Sequence, residues 1–115
     1  MILSFMAKHD PDLSLIFQAL SDPTRRAMVL RLSAGPAAVS ELAEPSGLRL
    51  PTILRHLSVL EAAGLIETRK SGRSRICRPV PGAMAQAEDW LARVRADWEA
   101  RTDRLEALLS TMEDE

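Results

Sequence analysis

From Ala83 to Met112 the chain runs for 30 residues without a proline or a glycine. Nothing in that stretch interrupts a helix, and at 1.5 Å per residue it would reach roughly 45 Å. Its apolar residues include Met84, Ala87, Leu91, Val94, Trp98, Leu105, Leu108 and Met112. They step by three and four, apart from a gap at Arg101, which makes a near-continuous seam suited to a partner helix. Trp90 lies beside the seam and widens it. In a chain of 115 residues such a helix would leave its stripe in water unless a second chain covered it. A homodimer is therefore expected, closed through this helix.

Ahead of that helix the chain is divided by strong punctuation. A first helix is expected from about Asp12 to Leu20, with Leu13, Ile16, Phe17 and Leu20 on one face. Asp22-Pro23 supplies an N-cap followed by a first-turn proline, and the second helix runs through Ala27, Val29, Leu30 and Leu32 to Gly35-Pro36. Ser40 is expected to cap a short third helix containing Leu42 and Ala43, closed by Pro45-Ser46-Gly47. Leu50-Pro51 opens a fourth helix with an inner stripe of Ile53, Leu57 and Leu60, ending at Gly64. Leu65–Arg69 and Ser74–Val80 then form two β-competent runs around a Lys70–Arg73 turn, a hairpin.

The formal net charge of -1 conceals an uneven distribution. Residues 49–78 hold seven basic and two acidic groups, whereas residues 79–115 hold four basic and nine acidic ones. A basic middle beside an acidic tail is a cue for nucleic acid. The tail, Glu113-Asp-Glu115, is expected to be frayed and solvated. Other function classes recede on composition. The single cysteine, Cys77, cannot form an intrachain disulfide, so a reducing cytoplasm is the expected compartment. No apolar run approaches the roughly 20 residues of a membrane helix, and Met1–Ala7 is too short and lacks the basic leader of a signal peptide. No phosphate-cradling glycine loop or nucleophile–base frame is present, so no enzymatic activity is expected.

A short helix, a glycine-containing turn and a second helix with polar outward residues make a helix-turn-helix, and the basic hairpin behind it makes it winged. The second helix suits the major groove, and the hairpin tip suits the backbone or the adjoining minor groove. The stretches Phe17-Gln-Ala-Leu-Ser-Asp-Pro-Thr-Arg-Arg-Ala27, Val39-Ser-Glu-Leu-Ala43 and Leu50-Pro-Thr-Ile-Leu-Arg-His-Leu-Ser-Val-Leu-Glu-Ala-Ala-Gly-Leu65 resemble the ArsR family of winged-helix repressors. The resemblance covers about residues 12–80, and the long terminal helix fits the family's dimerisation element. Glu88–Leu91 and Trp98–Leu105 further resemble the subgroup encoded beside START-like proteins. The resemblance implies a homodimeric repressor that binds an imperfect palindrome in double-stranded DNA and releases it on a signal; no effector is specified.

Carried over by position, the recognition helix (about 50–63) would present Pro51, Thr52, Leu54, Arg55 and His56 to DNA. The wing (about 65–80) would present Arg69, Lys70, Arg73 and Arg75. The sequence departs from the family at Leu54, where serine is common and leucine offers only apolar contact, for instance to thymine methyls. It departs again at Arg49, where a small capping residue is usual. The domain plan is a winged helix-turn-helix over 1–82, mainly α with a small β-hairpin wing. A dimerisation helix over 83–115 belongs to the same compact unit. The expected dimer interface comprises Leu13, Phe17, Met84, Trp90, Leu91, Val94, Trp98, Leu105 and Leu108.

Several residues keep a second reading. His56 could pack within the domain, the wing cations could be an ordinary solvated face, and Arg25 and Arg26 could touch DNA backbone or pair with nearby acids. The cysteine pair of metal-sensing relatives is absent from Val39–Glu44, and no histidine follows His56, so no metal and no cofactor is expected. Cys77 reads as a small apolar residue on the second wing strand before it reads as a redox switch. The alternatives are a winged-helix interaction module without DNA binding, or a metal- or redox-responsive repressor. A further one is a repressor holding a small organic effector at its dimer interface.

Overall fold

In the computed structural model the residues described are 11–113; the readings of Met1–Ala7 and of the last two tail residues lie outside them. The order is α1 (Pro11–Leu20), α2 (Pro23–Leu32), β1 (Ala37–Ala38), α3 (Val39–Ala43), a 3₁₀ turn (Glu44–Ser46), α4 (Leu50–Ala62), β2 (Ile66–Ser71), β3 (Ser74–Pro79) and α5 (Ala85–Glu113). The chain divides into two units: one ends at Met84, and the other is the helical unit beginning at Ala85.

The first unit is held by the punctuation. Asp22 sits in extended backbone and accepts a hydrogen bond from the Arg25 N–H at 3.0 Å, with Pro23 opening α2 behind it. Arg25 then reaches back to α1: its Nε donates to the Ala19 carbonyl at 2.7 Å and its Nη2 to Gln18 at 3.0 Å. The Nη1 of Arg26 donates to the Leu20 carbonyl at 2.7 Å. Both guanidiniums thus cap carbonyls at the end of α1, where Gln18 also accepts from the N–H and hydroxyl of Ser21. The core beneath is built from Leu13, Ile16 and Ala19 of α1, Met28 and Leu32 of α2, Leu42 of α3, and Ile53, Leu57 and Leu60 of α4. Ile66 and Cys77 close it from the sheet.

Three expectations are corrected. The wing is a three-stranded antiparallel sheet in the order β1-β3-β2, because Ala37 pairs with Cys77 and Ala38 with Ile76. That pairing draws the chain into the sheet up to Ala38, so α3 starts directly at Val39 and Ser40 caps nothing. The Glu41 carboxylate instead accepts from the Ala38 N–H at 3.3 Å. The hairpin turn is tighter than Lys70–Arg73: Ser71 pairs with Ser74, leaving only Gly72-Arg73 to turn, with Gly72 at φ 60°. Leu13, expected in the dimer interface, is 8% exposed in the protomer.

Candidate nucleic-acid interface

Helix α4 is amphipathic in the plainest way. Ile53, Leu57 and Leu60 are at most 3% exposed, while Leu50, Pro51, Leu54 and Arg55 lie on the solvent side. Thr52 is half-buried. Arg49 takes the N-cap position with extended backbone but without a side-chain capping bond, so its guanidinium is not committed to the helix end.

His56 is placed differently from its neighbours. Its side chain is 16% exposed, with Nδ1 3.3 Å from Arg25 Nη1 and 3.9 Å from Asp22 Oδ2. A guanidinium can only donate, so Nδ1 is the acceptor and the ring proton of the neutral histidine sits on Nε2. His56 therefore ties α4 to the α1–α2 corner. The Arg25 N–H bond, aided by the Arg25 charge and the Thr24 N–H, holds the Asp22 carboxyl below the usual carboxylate range.

The wing stacks its charges. Lys70 lies directly across from Arg75, a like-charge pair that destabilises a bare sheet and that an anion would relieve. One step along, Arg69 pairs with Ile76, and Glu67 faces Arg78. Arg73 occupies the turn. Among the described residues, Arg49, Arg55, Arg69, Lys70 and Arg73 form no ion pair within 4.0 Å.

A residue the sequence reasoning passed over joins helix to wing. Glu61, on the last turn of α4, accepts from both the N–H and the hydroxyl of Thr68, at 3.1 and 2.8 Å. Arg75 Nη1 in turn donates to the same Thr68 oxygen at 3.0 Å. The only available signal was that Glu61 and Glu67 are the two acids within residues 49–78.

In the second unit, α5 carries Leu91, Trp98, Leu105, Leu108 and Met112 at 51–66% exposure. Leu109, half exposed, adds to the stripe. Trp90, Leu91, Val94 and Trp98 line a shallow groove of about 470 Å³. Met84, at the end of the first unit, and Phe17 are half-buried.

A solved ArsR family transcriptional regulator is 49% identical to this chain, matching 76% of it and 97% of the other protein with a TM-score of 0.72. The chain belongs to the ArsR family of transcriptional regulators. A family model described as a helix-turn-helix domain matches residues 20–69 of this ArsR-family chain. The HTH-type transcriptional regulator Rv2034 of Mycobacterium tuberculosis is 44% identical over 60% of this chain and 64% of its own length, so the similarity spans less than two-thirds of that relative. A homodimeric winged helix-turn-helix DNA-binding domain from Mycobacterium bovis, solved in solution, is 26% identical over 83% of this chain and 87% of its own, with a TM-score of 0.64.

In this ArsR-family chain Cys77 is fully buried. Burial pushes its thiol up, and the Glu61 carboxylate adds to the effect against a smaller opposing one from Arg75. The thiolate that oxidation or metal binding needs is thereby disfavoured. Among the described residues no group of three or more His, Cys, Asp or Glu side chains is arranged to hold a metal ion. No helix among them is long and apolar enough to cross a membrane.

Proposed function

We propose that this protein is a homodimeric transcriptional repressor that binds a palindromic operator in double-stranded DNA. The observation that carries the reading is that α4 exposes Arg55 beside a wing surface on which Lys70 faces Arg75, none of the three in an ion pair within 4.0 Å among the described residues. A duplex satisfies both halves of that surface. Base edges meet the first turns of α4 through Pro51, Thr52, Leu54 and Arg55, with His56 behind them, and phosphates meet Arg69, Lys70, Arg73 and Arg75. The stripe on α5, with Met84, Trp90 and Val94 beside Leu91, Trp98, Leu105 and Leu108, supplies the contact between protomers. The homodimeric relative from Mycobacterium bovis supports that assembly. The domain plan follows: residues 1–82 bind DNA and residues 83–115 dimerise. Occupying a promoter with such a dimer represses by excluding the polymerase.

Selection of bound duplexes from a random pool by the purified protein, at about physiological salt, tests the reading. Enrichment of a palindrome with half-sites about one helical turn or more apart is the expected result. A folded dimer that enriches no sequence would leave the interaction-module alternative standing. Within the family we place the chain with the regulators encoded beside START-like proteins, on Glu88–Leu91 and Trp98–Leu105; the identity of the adjacent gene tests that placement.

A further inference from the structure

The core stripe of α4 is complete without Leu50 and Leu54, which remain 55% and 42% exposed. They stand four residues apart on one side of the helix, next to Pro51 and between Arg49 and Arg55. A helix that only had to be solvated would gain from polar groups there, and an apolar ridge bounded by cations marks a surface made to be covered. Resting on the DNA-binding reading above, we propose that Leu50 and Leu54 read the 5-methyl groups of thymine in the operator's major groove.

The chemistry selects that occupant. The thymine methyl is the one apolar group that unmodified base edges present in the major groove, and a leucine can recognise nothing else there. The cations answer the question of a protein partner. Arg49 and Arg55 bound the ridge and the wing cations continue the same charge, so a polyanion covers the whole surface at once, whereas an apolar protein face would bury Arg55 without a counter-charge. The rise from Leu50 to Leu54 is about 6 Å, close to two base steps of about 3.4 Å. The two leucines therefore cover methyls on neighbouring or next-neighbouring base pairs of each half-site.

The test replaces thymidine by deoxyuridine, one position at a time, in the duplex recovered by selection. The exchange deletes a methyl and leaves every base-pair hydrogen bond in place. Full coverage of one methyl corresponds to about a fourfold change in affinity. Wild-type protein should lose about fourfold at one or two positions of each half-site, with its salt dependence unchanged. Leu54→Ala should bind the thymidine and deoxyuridine forms equally at one of those positions, and Leu50→Ala at the other. Both sites are exposed and alanine favours helix, so folding is not at stake. Equal wild-type affinity for both duplexes at every position would overturn the proposal while leaving operator binding intact. So would a Leu54→Ala and Leu50→Ala pair that keeps the full difference. If selection yields no preferred sequence, the DNA-binding reading itself fails and this inference falls with it.

Discussion

The Glu61 carboxylate accepts two hydrogen bonds from Thr68, one from its backbone N–H and one from its hydroxyl, and so fastens the end of α4 to β2. Because Arg75 donates to the same threonine oxygen, the helix sets where a wing cation is held. Geometry and charge can be separated here. Glu61→Gln keeps an acceptor oxygen and removes a negative charge from beside the duplex, so it should retain wild-type stability and bind DNA more tightly. Glu61→Ala should lose about 0.5–1.5 kcal/mol of unfolding free energy, as expected for hydrogen bonds at a partly solvated site. Urea titrations and binding isotherms on the two variants distinguish these outcomes, and equal stability of both would show that the carboxylate holds nothing.

The cap at Asp22 gives a pH signature. Its folded-state pKa lies below the ordinary value of 3.8, chiefly through the bond from the Arg25 N–H. A group depressed in the folded state contributes stability that is fully present above its unfolded pKa and is lost as pH falls through the folded one. Asp22→Asn keeps an acceptor but no charge. The stability difference between wild type and Asp22→Asn should therefore be present above about pH 4 and shrink as pH drops below it. A difference independent of pH down to the acid limit would show that the charge contributes nothing.

The parts legible in the sequence were those fixed by local rules. Asp22-Pro23 announced a helix start, the spacing of Ile53, Leu57 and Leu60 announced a buried helix face, and Gly72 marked the hairpin turn. What escaped depends on residues far apart in the chain. Ala37 and Ala38 carry no strand signal of their own and become a strand only because β3 offers its free edge at Cys77 and Ile76. That same pairing displaced the cap expected at Ser40. At the site, the exposure of Arg55 and of the wing cations followed from amphipathic pattern and charge. The burial of His56 against Arg25, 31 residues away, and the Glu61–Thr68 bond across the Gly64 bend could not follow from either.

Arg55 is the sharpest point of the proposed readout. It is exposed on α4 and forms no ion pair within 4.0 Å among the described residues, and a bidentate arginine–guanine pair discriminates by about 1–3 kcal/mol. Arg55→Ala should lose that much at the selected operator and relax sequence preference at one position of each half-site. Affinity for unrelated duplex should change far less. A variant with wild-type affinity and preference would remove Arg55 from base recognition.

The wing should act through phosphates alone. Removing one phosphate contact reduces the slope of log affinity against log salt by about 0.9. Arg73→Gln, at the turn, and Arg75→Gln, opposite Lys70, should each flatten the slope by that amount. They should weaken all duplexes alike and leave the preferred sequence unchanged. A slope identical to wild type in both variants rejects the wing as a phosphate contact.

Trp98 decides the assembly. It is 66% exposed on α5, in line with Leu91 and Leu105, and a side chain of that size left in water is the strongest apolar demand on the helix. If the stripe closes the dimer, Trp98→Glu would place a carboxylate opposite its own copy in an apolar seam, an arrangement that costs both desolvation and repulsion. Sedimentation should then report a monomer, whereas Trp98→Phe should stay dimeric. Loss of the second half-site removes the gain from linked binding, on the order of 10²–10⁴ in affinity. The monomer should consequently bind the palindrome hardly better than a single half-site. A Trp98→Glu protein that sediments as a dimer and binds the palindrome normally would move the interface off α5, and the apolar stripe would then need another occupant.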